Sequence, residues 1–175
     1  YQLMRWIALL PLALSACVAF PEYRDTAVPI SSMASFDPVE YSGTWYEIAS
    51  FPVPFQAGCR NTTATYTPED AGTLAILNAC ETDDGPESIS GTARIDGPGR
   101  LKIRLDGVPF SSDYWVLWVD ADYRTAVVGT PSGRAGWILN REPVIPSDRF
   151  NAARDILTFN GYDISKLQMT KQEAP

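Results

Sequence analysis

Acid–base and nucleophilic chemistry draws on few side chains, and the commonest of them is missing: the 175-residue chain contains no histidine. Without it there is no Ser-His-Asp triad, no Cys-His dyad and no histidine-bearing zinc site. The remaining candidates are three cysteines, Cys17, Cys59 and Cys80, and two acidic groups, Asp83-Asp84 and Asp120/Asp122. Both acidic groups sit where the chain turns and read as turn residues, and nothing close in sequence to a thiol supplies a base. The expectation is a protein that is not an enzyme and uses no cofactor and no metal. A net charge of −7 also makes the chain a poor partner for nucleic acid or for an anionic lipid surface.

Cys17 invites a different chemistry. Arg5 is followed by the apolar run Trp6–Leu14 and then by Ser15-Ala16-Cys17, the parts of a secretory signal. The run is too short to cross a bilayer as a helix. Leu14-Ser15-Ala16-Cys17 resembles the lipobox of bacterial lipoproteins, whose cysteine thiol is acylated and whose signal is cut just before it. That resemblance implies a signal peptide over residues 1–16, with Met4 as initiator and Tyr1-Gln2-Leu3 before it. It also implies a lipid anchor on Cys17, and Val18 in place of an aspartate favours the outer membrane. Acyl chains contribute about 0.8 kcal/mol per buried CH₂, so several together anchor where one is marginal. Residues 17–40, rich in Pro, Ser and Ala, read as a tether with little structure before Phe36.

Three cysteines leave one over in an exported protein. Lipidation of Cys17 resolves the odd count and leaves Cys59 and Cys80 to pair, as an oxidising compartment favours. They flank two strand-like segments, Asn61–Thr67 and Thr73–Ala79. A loop at Pro68–Ala71 sets the two cysteines opposite each other. A loop at Glu69–Gly72 offsets them by two residues, and the bridge then needs a bulge.

The elements that must position any site are short strands at even spacing, the pattern of an all-β sandwich or barrel. Strands are expected at Thr44–Phe51, Glu87–Ile95, Arg100–Leu105, Tyr114–Val119, Tyr123–Gly129 and Gly136–Arg141. In Arg100–Leu105 the apolar Leu101, Ile103 and Leu105 alternate with basic residues, so one face is dry and the other wet. After Ser147, a good N-cap, the period changes: Phe150, Ala153, Ile156 and Leu157 recur at helical spacing until Gly161. Ile164–Thr170 offers a last strand.

Three motifs narrow the choice. Tyr41-Ser42-Gly43-Thr44-Trp45-Tyr46-Glu47-Ile48-Ala49, Tyr114–Tyr123 and Trp137-Ile138-Leu139-Asn140-Arg141 occur in the order and spacing of the lipocalin signatures. Over residues 36–170 the chain resembles the bacterial outer-membrane lipocalins and the related apolipoprotein D group. The resemblance implies an eight-stranded up-and-down antiparallel β-barrel with one C-terminal α-helix packed outside, spanning a domain at 41–175. Gly43, Trp45 and Arg141 take structural roles: Trp45 fills the closed end and Arg141 lies over its ring.

Strand parity then aims Ala49, Phe51, Ile89, Ala93, Leu101, Ile103, Tyr114, Val116 and Trp137 at the lumen as ligand contacts, with Ile138 outward. A single bulge reverses such an assignment. Small residues, Gly91 among them, suggest a cavity rather than a filled core. Glu47 alternates with Trp45 and is expected inside, where a carboxylate needs a partner. The function implied is storage or transport of a fatty acid, lysophospholipid or similar amphiphile at the envelope by a lipid-anchored binder, as a monomer or a homodimer. A filled structural barrel is the alternative, and an enzyme is the least favoured reading.

Overall fold

The computed structural model describes residues 21–70 and 72–173; the expected signal segment and Cys17 lie outside them. The described chain opens with a short helix α1 (Pro38–Tyr41), capped by the Asp37 carboxylate. Eight strands follow: β1 (Gly43–Ser50), β2 (Arg60–Pro68), β3 (Thr73–Thr82), β4 (Gly85–Ile95), β5 (Arg100–Leu105), β6 (Ser112–Val119), β7 (Thr125–Gly129) and β8 (Gly136–Asn140). Helix α2 (Ser147–Phe159) and a two-residue strand β9 (Gln168–Met169) complete it. Each strand from β1 to β8 pairs antiparallel with the next, and β8 pairs back with β1, so the sheet closes into a barrel. Along β1 the lower half pairs with β2, from Gly43↔Tyr66 to Tyr46↔Thr63, and β9 takes that edge higher up, at Ala49↔Met169. The turns at 69–72, 96–99 and 120–124 mark the closed end. The loops at 51–59, 83–84, 106–111 and 130–135 surround the open one.

The apolar residues divide into two layers. Trp45, Tyr66, Leu74, Ile76, Ala93, Leu101, Tyr114, Val116, Val128 and Leu139 pack together inside the barrel. Ile48, Leu117, Val127, Ile138, Ala153 and Leu157 form a second cluster between the wall and α2. This second layer explains why β7, covered on both sides, is buried at every position, whereas β4, with one side in water, is not.

Helix α2 has the expected length and buried face, but Ser147 is its first residue and Pro146 the N-cap, without a side-chain cap. Proline there serves because its fixed φ leads into the first turn. Asn160 and Gly161, at φ 85°, end the helix. The Arg149 guanidinium donates to Thr125 Oγ1 at 3.0 Å and pins the helix to β7. The last expected strand shrinks to a 3-10 turn at Ile164–Lys166 and β9.

One expectation about the rest of the chain is decided between its alternatives and another is corrected. The β2–β3 hairpin turns at 69–72, the second of the two loops considered and the one that needs a bulge to bring the cysteines together, with Pro68 paired to Leu74 and Thr63 to Ala79. Cys59 precedes β2, and a register shift between Arg60 and Thr63, with Asn61 at φ 53°, brings it to Cys80. The two are joined by a disulfide across a Cα–Cα distance of 5.5 Å. Residues 21–35 are also no loose tether. Arg24 is buried, donating to the carbonyls of Asn160, Pro131 and Val28, and Met33 N–H donates to Val116 O at 2.9 Å. Isolated sequence periodicity cannot reveal such a strap, because its partners are backbone carbonyls far along the chain.

The turn between β6 and β7 hangs on Asp120, whose carboxylate accepts from the N–H groups of Arg124 and Thr125 and from Arg124 Nε at 2.8 Å. Burial pushes its pKa up, but the Thr125 N–H and the Arg124 donors outweigh that and hold it below the ordinary value. A depressed folded pKa adds stability above the unfolded pKa of about 3.9, and the contribution disappears as pH falls through the folded value. Asp120→Asn is therefore expected to lower unfolding free energy by about 1 kcal/mol at neutral pH. Urea titrations should show that gap constant above about pH 5 and shrinking below about pH 4.

Candidate ligand site in the barrel lumen

The closed end of the lumen is built on one stacked pair. Trp45 is fully buried, its indole N–H donating to Tyr41 O at 2.8 Å, and the Arg141 guanidinium carbon lies 3.7 Å from its ring centroid. Arg141 also donates to the carbonyls of Glu40 and Ser42 at 2.9 Å, of Thr44 at 3.0 Å and of Tyr123 at 3.2 Å. It thereby ties α1, β1 and the β6–β7 turn into one base. Gly43 is at φ 97°, and a Cβ there would stand 3.2 Å from the guanidinium. Both the conformation and the close approach call for glycine. Gly43, Trp45 and Arg141 thus meet at the closed end.

Above the indole the lumen is first aromatic. Tyr41 lies 5.0 Å from Trp45 and 5.3 Å from Tyr66, ring to ring, and Tyr114 continues the series towards Trp137. Tyr66 Oη donates to Tyr114 Oη at 2.8 Å, and Tyr41 Oη and Tyr114 Oη share another bond of 2.8 Å. Burial raises the pKa of all three phenols above the ordinary value, so they are neutral hydroxyls at physiological pH. Three phenols that satisfy one another can fill a dry base without a charge. Tyr114 and Val116 thus face the lumen as parity expects, but Tyr114 belongs to this packed base.

Higher up, the wall opens. Ile103 and Trp137 face inward and are half-buried, and Ile89, at the rim, is 37% exposed. Ala93, paired with Ile103, and Leu101, lower on the same strand as Ile103, line the wall and are fully buried. Beside this apolar surface runs a polar band. Glu47 is only 5% exposed, and its carboxylate accepts from Gln56 Nε2 at 2.7 Å and from Thr170 Oγ1 at 2.5 Å. Gln56 Oε1 in turn accepts from Trp137 Nε1 at 3.1 Å. Glu47 therefore lies inside, and the partners its carboxylate finds there are neutral amide and hydroxyl groups. One position beyond the Tyr46–Thr63 pair, the Thr62 hydroxyl is buried without a partner, a cost that a bound polar group removes.

Two of the expected contacts lie elsewhere. Ala49 and Phe51 belong to the outer cluster beneath α2, with Phe51 stacked on Tyr23 and Tyr162. The reason is a bulge: Glu47 pairs with Leu139 and Ala49 with Ile138, so Ile48 is an extra residue that reverses the parity of everything after it. A second bulge, between Val116 and Trp118, sends both Leu117 and Trp118 outward but comes too late to disturb Tyr114. Gly91 is small for another reason than cavity space: a Cβ there would stand 2.4 Å from Arg104 O on the neighbouring strand. Parity missed Tyr41, which lies outside any strand, and Gln56 and Thr170, which reach in from a loop and from the tail.

Comparison with known proteins agrees with this architecture. The lipocalin-like domain model matches residues 36–172. Temperature-induced lipocalin-1 of Arabidopsis thaliana is 38% identical over 143 residues, 75% of this chain and 77% of its own. Outer membrane lipoprotein Blc of Escherichia coli is 35% identical over 173 residues, 94% of this chain and 97% of its own. Among solved structures, lobster apocrustacyanin A1 superposes with a TM-score of 0.70 at 18% identity, covering 89% of this chain and 94% of its own. Insecticyanin from the tobacco hornworm Manduca sexta does so at 0.68 and 20% identity, over 87% of each chain. At such low identity these two show the fold alone.

The base can be tested by a double-mutant cycle. Arg141→Met removes five donor contacts to exposed and half-buried carbonyls and is expected to cost about 1–2 kcal/mol. Paired with Trp45→Phe in urea unfolding, it should give a coupling energy of about 0.5–2 kcal/mol; additive effects would mean that the stacking contributes nothing.

Proposed function

The chain belongs to the lipocalin-like family, and from that premise we propose that it carries or stores a single-chain amphiphile, a fatty acid, lysophospholipid or related molecule, at the cell envelope. The observation that carries this reading is the two-zone lumen. A packed aromatic base excludes water, and above it the apolar faces of Ile89, Ile103 and Trp137 stand beside the polar atoms of Glu47, Gln56 and Thr62. An acyl chain gains about 25 cal/mol for each Å² it buries on such a wall. The polar band gives a head group or linker something to bond to, which a pure hydrocarbon would waste.

Attachment to the outer membrane through lipid on Cys17 is part of the same reading. It rests on Leu14-Ser15-Ala16-Cys17 and on the similarity to outer membrane lipoprotein Blc over nearly the whole chain. The filled base favours a second reading, in which the barrel is a structural lipoprotein that holds nothing.

Native mass spectrometry of the protein purified without detergent separates the two. Carriage predicts a displaceable adduct of lipid mass, whereas a structural barrel gives the bare chain. Ile103→Trp narrows the upper lumen at a half-buried position, and should lower affinity for a fluorescent fatty acid or lysophospholipid at least about tenfold, a difference of about 1.4 kcal/mol. Its melting temperature should move by only a few degrees. Unchanged affinity for every amphiphile tried would exclude the upper lumen as the site.

A further inference from the structure

From the course of the N-terminal strap we infer that the open end of the barrel faces the membrane, with the phenylalanines of the rim seated at the lipid surface. The inference rests on the proposed lipid anchor and adds its direction. Residues 22–25 are fastened at the open end. Tyr23 N–H donates to Gly133 O at 2.8 Å and Arg24 donates to Pro131 O at 2.7 Å, both in the β7–β8 loop. Tyr23 Oη donates to Pro52 O at 2.7 Å in the β1–β2 loop. From there the strap descends, with Ser32 Oγ donating to Pro98 O at 2.9 Å in the closed-end turn between β4 and β5. Covalent geometry limits Cys17 to within about 14 Å of Pro21. An acyl chain on Cys17 therefore leaves the protein beside the mouth, and the closed end points away from it.

The surface agrees. Among the described residues, the large apolar side chains most exposed include three phenylalanines: Phe55 at 70%, Phe110 at 64% and Phe159 at 72%. Phe55 is in the β1–β2 loop, Phe110 in the β5–β6 loop and Phe159 at the end of α2 that meets the strap, so all three lie towards the open end. The exposed large apolar residues of the closed end, Val39 and Val144, are aliphatic. Aromatic rings on separate loops around one opening suit an interface that is apolar on one side and wet on the other. Charge decides what kind of surface. At the mouth Asp83 is paired with Arg60 and Glu22 with Arg134, while Asp84 and Asp106 add negative charge, which an anionic bilayer would repel. The partner fitted is a zwitterionic lipid surface such as one rich in phosphatidylethanolamine, into which a single-chain lipid leaves the lumen without crossing water.

The test uses the full, lipidated protein, oxidised, reconstituted on phosphatidylethanolamine/phosphatidylcholine vesicles that contain a spin-labelled lipid. A fluorophore is attached to one added cysteine at a time, Phe55→Cys or Phe110→Cys at the mouth and Val39→Cys or Val144→Cys at the closed end. Quenching at the two mouth positions should exceed that at the closed end several-fold, and lipid-free controls should show none. Equal quenching at both ends, or stronger quenching at Val39 or Val144, overturns the orientation while leaving the anchor intact. Protein that carries no lipid and does not sediment with vesicles overturns the anchoring reading, and the orientation with it. Phe55→Ser with Phe110→Ser should slow transfer of a fluorescent lysophospholipid from vesicle to protein several-fold without changing its affinity measured in solution; an unchanged transfer rate counts against the seated rim.

Discussion

A barrel of eight strands leaves an interior narrow enough that side chains nearly fill it, and whatever is to be bound competes with the protein's own core for that space. Here the competition is settled by height. The stack of Arg141 on Trp45 seals the base, and Tyr41, Tyr66 and Tyr114 fill the layer above it. Because a phenol carries its own hydrogen-bonding group, the layer also closes its own polar account through the hydroxyls of its three members. The floor that results is rigid, uncharged and dry, and only the upper wall remains available.

The upper wall is shaped by departures from regular pairing. The bulge at Ile48 moves Ala49 and Phe51 to the outside, where they become the seat for α2 and Tyr162, and so removes bulk from the lumen near its mouth. The space is then bordered by groups from outside the barrel strands: Gln56 from the β1–β2 loop and Thr170 from the tail, both bonded to Glu47. The tail also closes a gap. Where β1 leaves β2, β9 pairs with β1, and Gln172 Nε2 donates to the carbonyls of Glu47 and Thr62. Without these bonds the backbone on both sides of the gap would be left without partners.

The outside of the barrel is equally specific. Helix α2 covers one wall, and the strap from Tyr23 to Met33 connects the open-end loops, the end of α2 and β6. Tyr162 sits where they meet: its hydroxyl accepts from Thr130 N–H and donates to Ala135 O at 2.8 Å. Gly129 and Gly136 leave room for that ring, since a Cβ at either would stand within 3.1 Å of it. The mouth is thus held by residues distant in sequence, the strap from Tyr23 among them.

Much of this was legible in the chain itself. Alternation in β4 and β5, the helical spacing of Phe150, Ala153, Ile156 and Leu157, and the Gly43–Trp45 and Arg141 motifs each act locally or through a pattern that one face of an element imposes. They determined the short strands, the outer helix and the inward direction of Leu101, Ile103, Val116 and Trp137, while the choice of a barrel over a sandwich, and the Trp45–Arg141 base, came from the likeness of three motifs to the lipocalin signatures. What only the tertiary structure decided depends on partners that a local pattern does not name. A bulge is one extra residue whose place is set by the neighbouring strand, so the side taken by Ala49 and Phe51 could not be read from alternation alone. The strap, the tail and the Cys59 approach to Cys80 are likewise fixed by backbone groups far away along the chain, and their hydrogen bonds leave no periodic trace in the residues that make them.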